Sequence, residues 1–79
     1  MYVVYVLRDD KGVLYKGMTN DLTRRLQEHR AGKTKTTRAM GELQVFYTEE
    51  YDTLFEARQR ELYLKSAAGR KFLKNIMRG

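Results

Sequence analysis

A chain of 79 residues with no cysteine and a single histidine has room for one small domain and excludes both a disulfide framework and a Cys/His zinc site. The fold must therefore rest on apolar packing, for which 42% hydrophobic residues suffice in a two-layer domain with a sheet under helices. The excess of 16 Lys and Arg over 10 Asp and Glu, a formal charge of +6, favours a polyanionic partner. No apolar run approaches the roughly 20 residues that span a bilayer, so a soluble cytoplasmic protein without membrane contact is expected.

Tyr2 to Leu7 is rich in valine and aromatic residues, and Asp9-Asp10-Lys11-Gly12 reads as a turn with glycine at a position suited to positive φ. Val13 to Tyr15 then returns as a second strand, setting Tyr5 and Tyr15 on adjacent strands and, in a suitable register, on one face. Asn20 or Thr19 can cap a helix over about Asp21 to Ala31; Asp21 suits the positive end of its dipole, and Gly32 can close it in the left-handed conformation. On that helix Leu22 and Leu26 form an apolar stripe, and Arg25 and His29, also four apart, form a polar one beside it. Lys33 to Arg38 lacks apolar periodicity and reads as a mobile basic loop able to close over a substrate.

Leu43 to Tyr51, rich in Val, Phe, Tyr and Thr, predicts a third strand that pairs with the hairpin. Thr53 with Glu56 three residues later is a capping-box pattern for a helix over Thr53 to Lys65 that carries Leu54, Ala57, Leu62 and Leu64. Ser66 can cap a last helix near Ala68 to Met77, packed through Phe72, Leu73 and Ile76, with Gly69 a weak point near its start. The expected fold is α+β, one domain over residues 1–79, with a three-stranded antiparallel sheet flanked by helices in the order ββαβαα. Charge runs basic, acidic, basic along it: Lys16 to Arg38, then Glu42 to Glu61, then Lys65 to Arg78. The acidic middle could hold a cation.

Val3-Val4-Tyr5, Tyr15-Lys16-Gly17 and the helix bearing Arg25 and His29 together resemble the GIY-YIG nuclease superfamily, over nearly the whole chain and especially its small standalone bacterial members. The first motif lacks its glycine and isoleucine, and Lys16 replaces the central isoleucine of the second. The resemblance implies that Tyr5 and Tyr15 are the two family tyrosines, that Arg25 is the arginine of the first helix, and that Glu61 is the metal-binding glutamate, while His29 falls where members carry His or Tyr. It further implies an endonuclease that uses Mg²⁺ or Mn²⁺ to hydrolyse DNA, at structures or lesions in repair or recombination, with a protein partner for targeting.

The chemistry suits these residue types. Glu61 offers a hard oxygen ligand, and Mg²⁺ is commonly held by one carboxylate with waters and phosphate completing its shell. Arg25 can fork onto the scissile phosphate. One of the two tyrosines can serve as the base that activates water if nearby cations favour phenolate, while His29 can move a proton or bind phosphate. Lys16, Lys33, Lys35 and Arg38 are candidate nucleic-acid contacts. Two alternatives remain open: a non-catalytic nucleic-acid-binding module of the same fold, and a module that recognises acidic proteins through Lys71, Lys74 and Arg78.

Overall fold

Alternation along the first strand organises the molecule. In the computed structural model, which describes residues 1–78, β1 (Tyr2–Arg8) is the central strand of a three-stranded antiparallel sheet, flanked by β2 (Leu14–Thr19) and β3 (Gln44–Tyr51) in the order β2-β1-β3. Val4, Val6, Tyr5 and Leu7 are all between 0% and 1% exposed, because successive side chains point to opposite faces and both faces are covered. Val4 and Val6 pack with Ala57, Leu64 and Leu73 from α3 (Leu54–Lys65) and α4 (Ala67–Arg78). Tyr5 and Leu7 pack on the other face with Leu43, joined by Leu22 and Leu26 of α1 (Leu22–Arg30) and by Met40.

Local signals set the element ends. Asp9 Oδ1 accepts from the amides of Lys11 and Val13, and its Oδ2 accepts from Gly41, so one carboxylate both shapes the hairpin turn and ties it to the segment before β3. Burial works against that carboxylate's charge, but these three amides hold its pKa below the usual value. The α1 N-cap is Asp21, whose side chain accepts from Arg24 N; Thr19, two residues before it, accepts from the Asp21 amide. Gly12 and Gly32 have positive φ angles, 87° and 77°, at the turn and after α1. Thr53 caps α3 with Glu56 reaching back to it, and Ser66 accepts from Gly69 N at the start of α4.

Two expectations are corrected. Lys33 to Arg38 is not a plain loop: Lys35–Arg38 forms a one-turn helix, α2, because Thr37 is buried (2% exposed) against α1. Gly69 is not a weak point but a contact, since a Cβ there would stand 2.0 Å from the Tyr63 carbonyl oxygen and 2.5 Å from Leu64 Cα. Only glycine lets α4 cross α3 so closely. The acidic middle of the chain is also used internally: Glu49 accepts from the Tyr47 and Tyr51 hydroxyls and from Arg60 Nε and Nη2 at 2.9 and 3.1 Å, which clasps α3 to β3. The Arg60 guanidinium in turn lies 4.7 Å from the Tyr63 ring centre and 5.0 Å from that of Phe72. Among the described residues no helix is long and apolar enough to cross a membrane.

Candidate functional site

The β1–β2 register pairs Tyr5 with Gly17 and Leu7 with Tyr15, so the two tyrosines are diagonal neighbours on the α1 face, with ring centres 6.2 Å apart. Gly17 is what permits this. A Cβ there would meet the Tyr5 hydroxyl at 2.6 Å and Tyr15 Cε2 at 3.0 Å, so the glycine of the second motif provides the space into which the Tyr5 phenol extends. His29 reaches the same point from α1, with its ring edge-on to Tyr15 at 4.9 Å and to Tyr5 at 5.8 Å.

Four hydrogen bonds run in line through this cluster. Arg25 Nε donates to the Tyr5 hydroxyl at 3.4 Å, the Tyr5 hydroxyl meets His29 Nε2 at 2.8 Å, His29 Nδ1 meets Thr37 Oγ1 at 2.8 Å, and Thr37 Oγ1 donates to the Thr34 carbonyl at 3.4 Å. One assignment uses every partner at once: the Thr37 proton goes to the Thr34 carbonyl, His29 carries its proton on Nδ1, and the Tyr5 hydroxyl, which accepts from Arg25, donates to a bare Nε2. In that assignment His29 is neutral, in keeping with burial and, second, the Arg25 charge, which push its pKa below the ordinary histidine value despite Glu28. Burial also pushes the Tyr5 phenol up to about 12, against the hydrogen bond from Arg25. Tyr5 and His29 are 1% and 2% exposed, so both lie behind the surface rather than on it.

Arg25 and Tyr15 are the half-buried members of the cluster. Arg25 Nη1 donates to Glu28 Oε1 at 2.9 Å, and with Nε on Tyr5 the guanidinium plane is fixed at two points. Its Nη2 has no partner among the described residues. The Arg25 pKa is raised, first by the bond to Glu28 and then by that to Tyr5, with burial opposing and Tyr15 adding a smaller contribution. Arg25 and Glu28 line an open groove with Thr19, Asn20 and Leu54, between the start of α1 and the start of α3.

Glu61 comes from the other layer. It is 7% exposed on the Ala57–Glu61–Leu64 stripe of α3, and its oxygens accept from Arg58 at 3.4 Å and Lys65 at 3.2 Å. It makes no hydrogen bond or ion pair with Tyr5, Tyr15, Arg25 or His29 among the described residues. No three His, Asp or Glu side chains come together as a metal cluster among the described residues. A single carboxylate such as Glu61 suits Mg²⁺, which keeps most of its waters, and the Arg58 and Lys65 side chains that hold Glu61 are 59% and 51% exposed.

Of the basic candidates, Lys33, Lys35 and Arg38 are exposed around α2, on the cluster's side of the sheet, with Arg38 Nε donating to the Gly32 carbonyl. Lys16 is not with them. It lies on β2 between Tyr15 and Gly17 and opposite Val6, and therefore points to the α3–α4 face. Thr37 and Glu28 join the site without having been expected there, and Gly17, known only as a letter of the second motif, joins it as the space for the Tyr5 phenol.

The chain belongs to the GIY-YIG catalytic domain family, whose model matches residues 1–75, and that family is one of nucleases. Similar proteins carry the UPF0213 name: one from Bacillus pumilus is 43% identical over 68 residues, spanning 85% of this chain and 69% of its own, and one from Staphylococcus saprophyticus is 33% identical over 79 residues, spanning 99% and 96%. A UPF0213 protein from Bacillus halodurans, solved by solution NMR, shares the fold with a TM-score of 0.58 and 31% identity, over 96% of this chain and 85% of that one.

Proposed function

We propose that this protein is a divalent-metal-dependent endonuclease acting on DNA in repair or recombination, with Arg25 on the scissile phosphate, Tyr15 as the base and Glu61 on the metal. The observation that carries the reading is Arg25. It is fixed by Glu28 and Tyr5, with Nη2 left over and the half-buried Tyr15 beside it, in a chain of a nuclease family. Tyr15 first gives its phenolic proton to solvent; water then attacks phosphorus while its proton passes to the Tyr15 oxygen, the phosphorus–oxygen bond to the leaving nucleotide breaks, and solvent protonates the alkoxide. Tyr5 is the less suitable base, because it is buried and already donates its proton to His29. Tyr5 and His29 instead hold Arg25 and Tyr15 from behind. Mg²⁺ or Mn²⁺ bound at Glu61 would supply charge neutralisation on the phosphate oxygens.

One observation favours a second reading, a nucleic-acid-binding module without catalysis: both Glu61 oxygens are already engaged by cations of the same helix. Nicking of supercoiled, single-stranded and branched DNA with Mg²⁺ or Mn²⁺ separates the two. Cleavage that Glu61→Gln, Tyr15→Phe and Arg25→Lys each remove without loss of folding supports the nuclease. DNA binding by all four proteins with equal or absent cleavage supports the binding module.

A further inference from the structure

The nuclease reading leaves one strongly charged surface unused. On the sheet face opposite the tyrosine cluster, an open groove of about 540 Å³ runs between β2 and α4, with Leu14 and Met77 among its apolar residues and Lys16, Arg70, Lys71 and Lys74 around them. No carboxylate lines it, and none of those four cations forms an ion pair among the described residues. On α4, Lys74 follows Arg70 by four residues and Lys71 by three, spacings that set side chains side by side, so the three cations form a cluster that an anionic ligand would relieve. Burial and then the charges of Arg70 and Lys65 depress the Lys16 pKa.

Position links this groove to the site. β2 is an edge strand, and Tyr15 and Lys16 are consecutive on it, so one faces the cluster and the other the groove within a rise of about 3.3 Å along the strand. Lys16 also stands at the position where the family motif has isoleucine. We propose that the β2–α4 groove is a second phosphate-backbone site, holding the nucleic-acid strand that continues over the β2 edge from the scissile phosphate. The proposal rests on the nucleic-acid reading above and adds that the substrate must offer a single strand or a branch, since a strand must turn round the edge of the sheet to touch both faces. An acidic polypeptide would satisfy the charge but not the continuity with Tyr15.

The test is binding without turnover. Fluorescence anisotropy of labelled single strands of about 20 and about six nucleotides is followed from about 50 to 200 mM salt, with the full chain carrying Glu61→Gln so that nothing is cut. Adding Lys16→Ile and Lys74→Gln removes two phosphate contacts, and the slope of log affinity against log salt for the longer strand should fall by about 1.4, at 0.7 per contact on single strands. The loss should be smaller for the shorter strand. Lys71→Gln with Lys74→Gln, confined to exposed positions of α4, serves if the Lys16 variant unfolds, and predicts the same fall. An unchanged slope on the longer strand overturns the groove while leaving the nuclease reading intact, provided Arg25→Gln still weakens binding. Absence of any DNA binding by the parent protein overturns both. Polyglutamate binding that the α4 variants abolish while DNA binding stays unchanged assigns the groove to an acidic protein and overturns the proposal.

Discussion

Replacing Thr37 by valine tests the hydrogen-bond chain at its hidden end. Valine keeps the shape but leaves the His29 Nδ1 proton facing a methyl group in a site where His29 and Thr37 are each 2% exposed. An unsatisfied buried donor costs about 1–3 kcal/mol, while the Thr34 carbonyl keeps the Arg38 amide as its donor, so a loss near 2 kcal/mol is expected. The alternative response, moving the proton to Nε2, is no cheaper, because the Tyr5 hydroxyl then loses its acceptor while Arg25 still donates into it. Urea unfolding measures the loss; long-range proton–nitrogen NMR of the imidazole reads the tautomer directly. Wild type should show Nδ1–H, Thr37→Val should lower stability and shift or mix the tautomer, and Thr37→Ser should restore both. A wild-type imidazole protonated at Nε2 would refute the polarity argument, as would a valine variant with unchanged stability and tautomer.

Gly17→Ala should destabilise by about 1–3 kcal/mol and displace the Tyr5 ring, since its Cβ would lie 2.6 Å from the Tyr5 hydroxyl; unchanged urea midpoint and tyrosine chemical shifts would contradict this. His29 has a lowered folded pKa, so the unfolded chain binds its proton first: its contribution is complete above about pH 6.5 and is lost as pH falls from there through the lower folded value. The urea midpoint should therefore decline in that window for wild type and less steeply for His29→Gln; equal slopes would count against it. Arg60→Met should cost about 2 kcal/mol, intermediate between exposed and buried pairs because Arg60 and Glu49 are 28% and 17% exposed, and calorimetry should show a melting temperature lower by about 8–16 °C.

Local chemistry was legible in the residues themselves. The hairpin turn, the Thr53–Glu56 capping box and the glycine after α1 each depend on neighbours in sequence; β1, β3 and the long helices fall within a residue of expectation, while β2 runs four residues past its expected end at Tyr15, to Thr19. The cap of α1 moved only from Asn20 or Thr19 to Asp21. What escaped depended on partners distant in the chain. The threonines of Lys33 to Arg38 look like loop residues, and only the need of a buried His29 for a second partner turns Thr37 inward and winds α2. Gly69 looks like a helix defect until α3 is laid against it. The separation of Lys16 from the other basic candidates was available in principle, since adjacent residues on a strand face opposite ways and Tyr15 had already been given a face.

The placement of β1 at the centre has a kinetic consequence. Its partner on one side, β2, is joined by a short turn, but its partner on the other, β3, lies across the segment 9–43, and both apolar cores draw on β1. The hairpin can form in microseconds, yet it gains little until that segment closes and β3 zips onto Tyr2–Arg8. The rate-limiting event in folding is then the β1–β3 encounter, helped by Asp9, which draws Gly41 to the hairpin just before β3 begins. Until it happens, the most apolar strand of the chain has an open edge, available to pair with another chain.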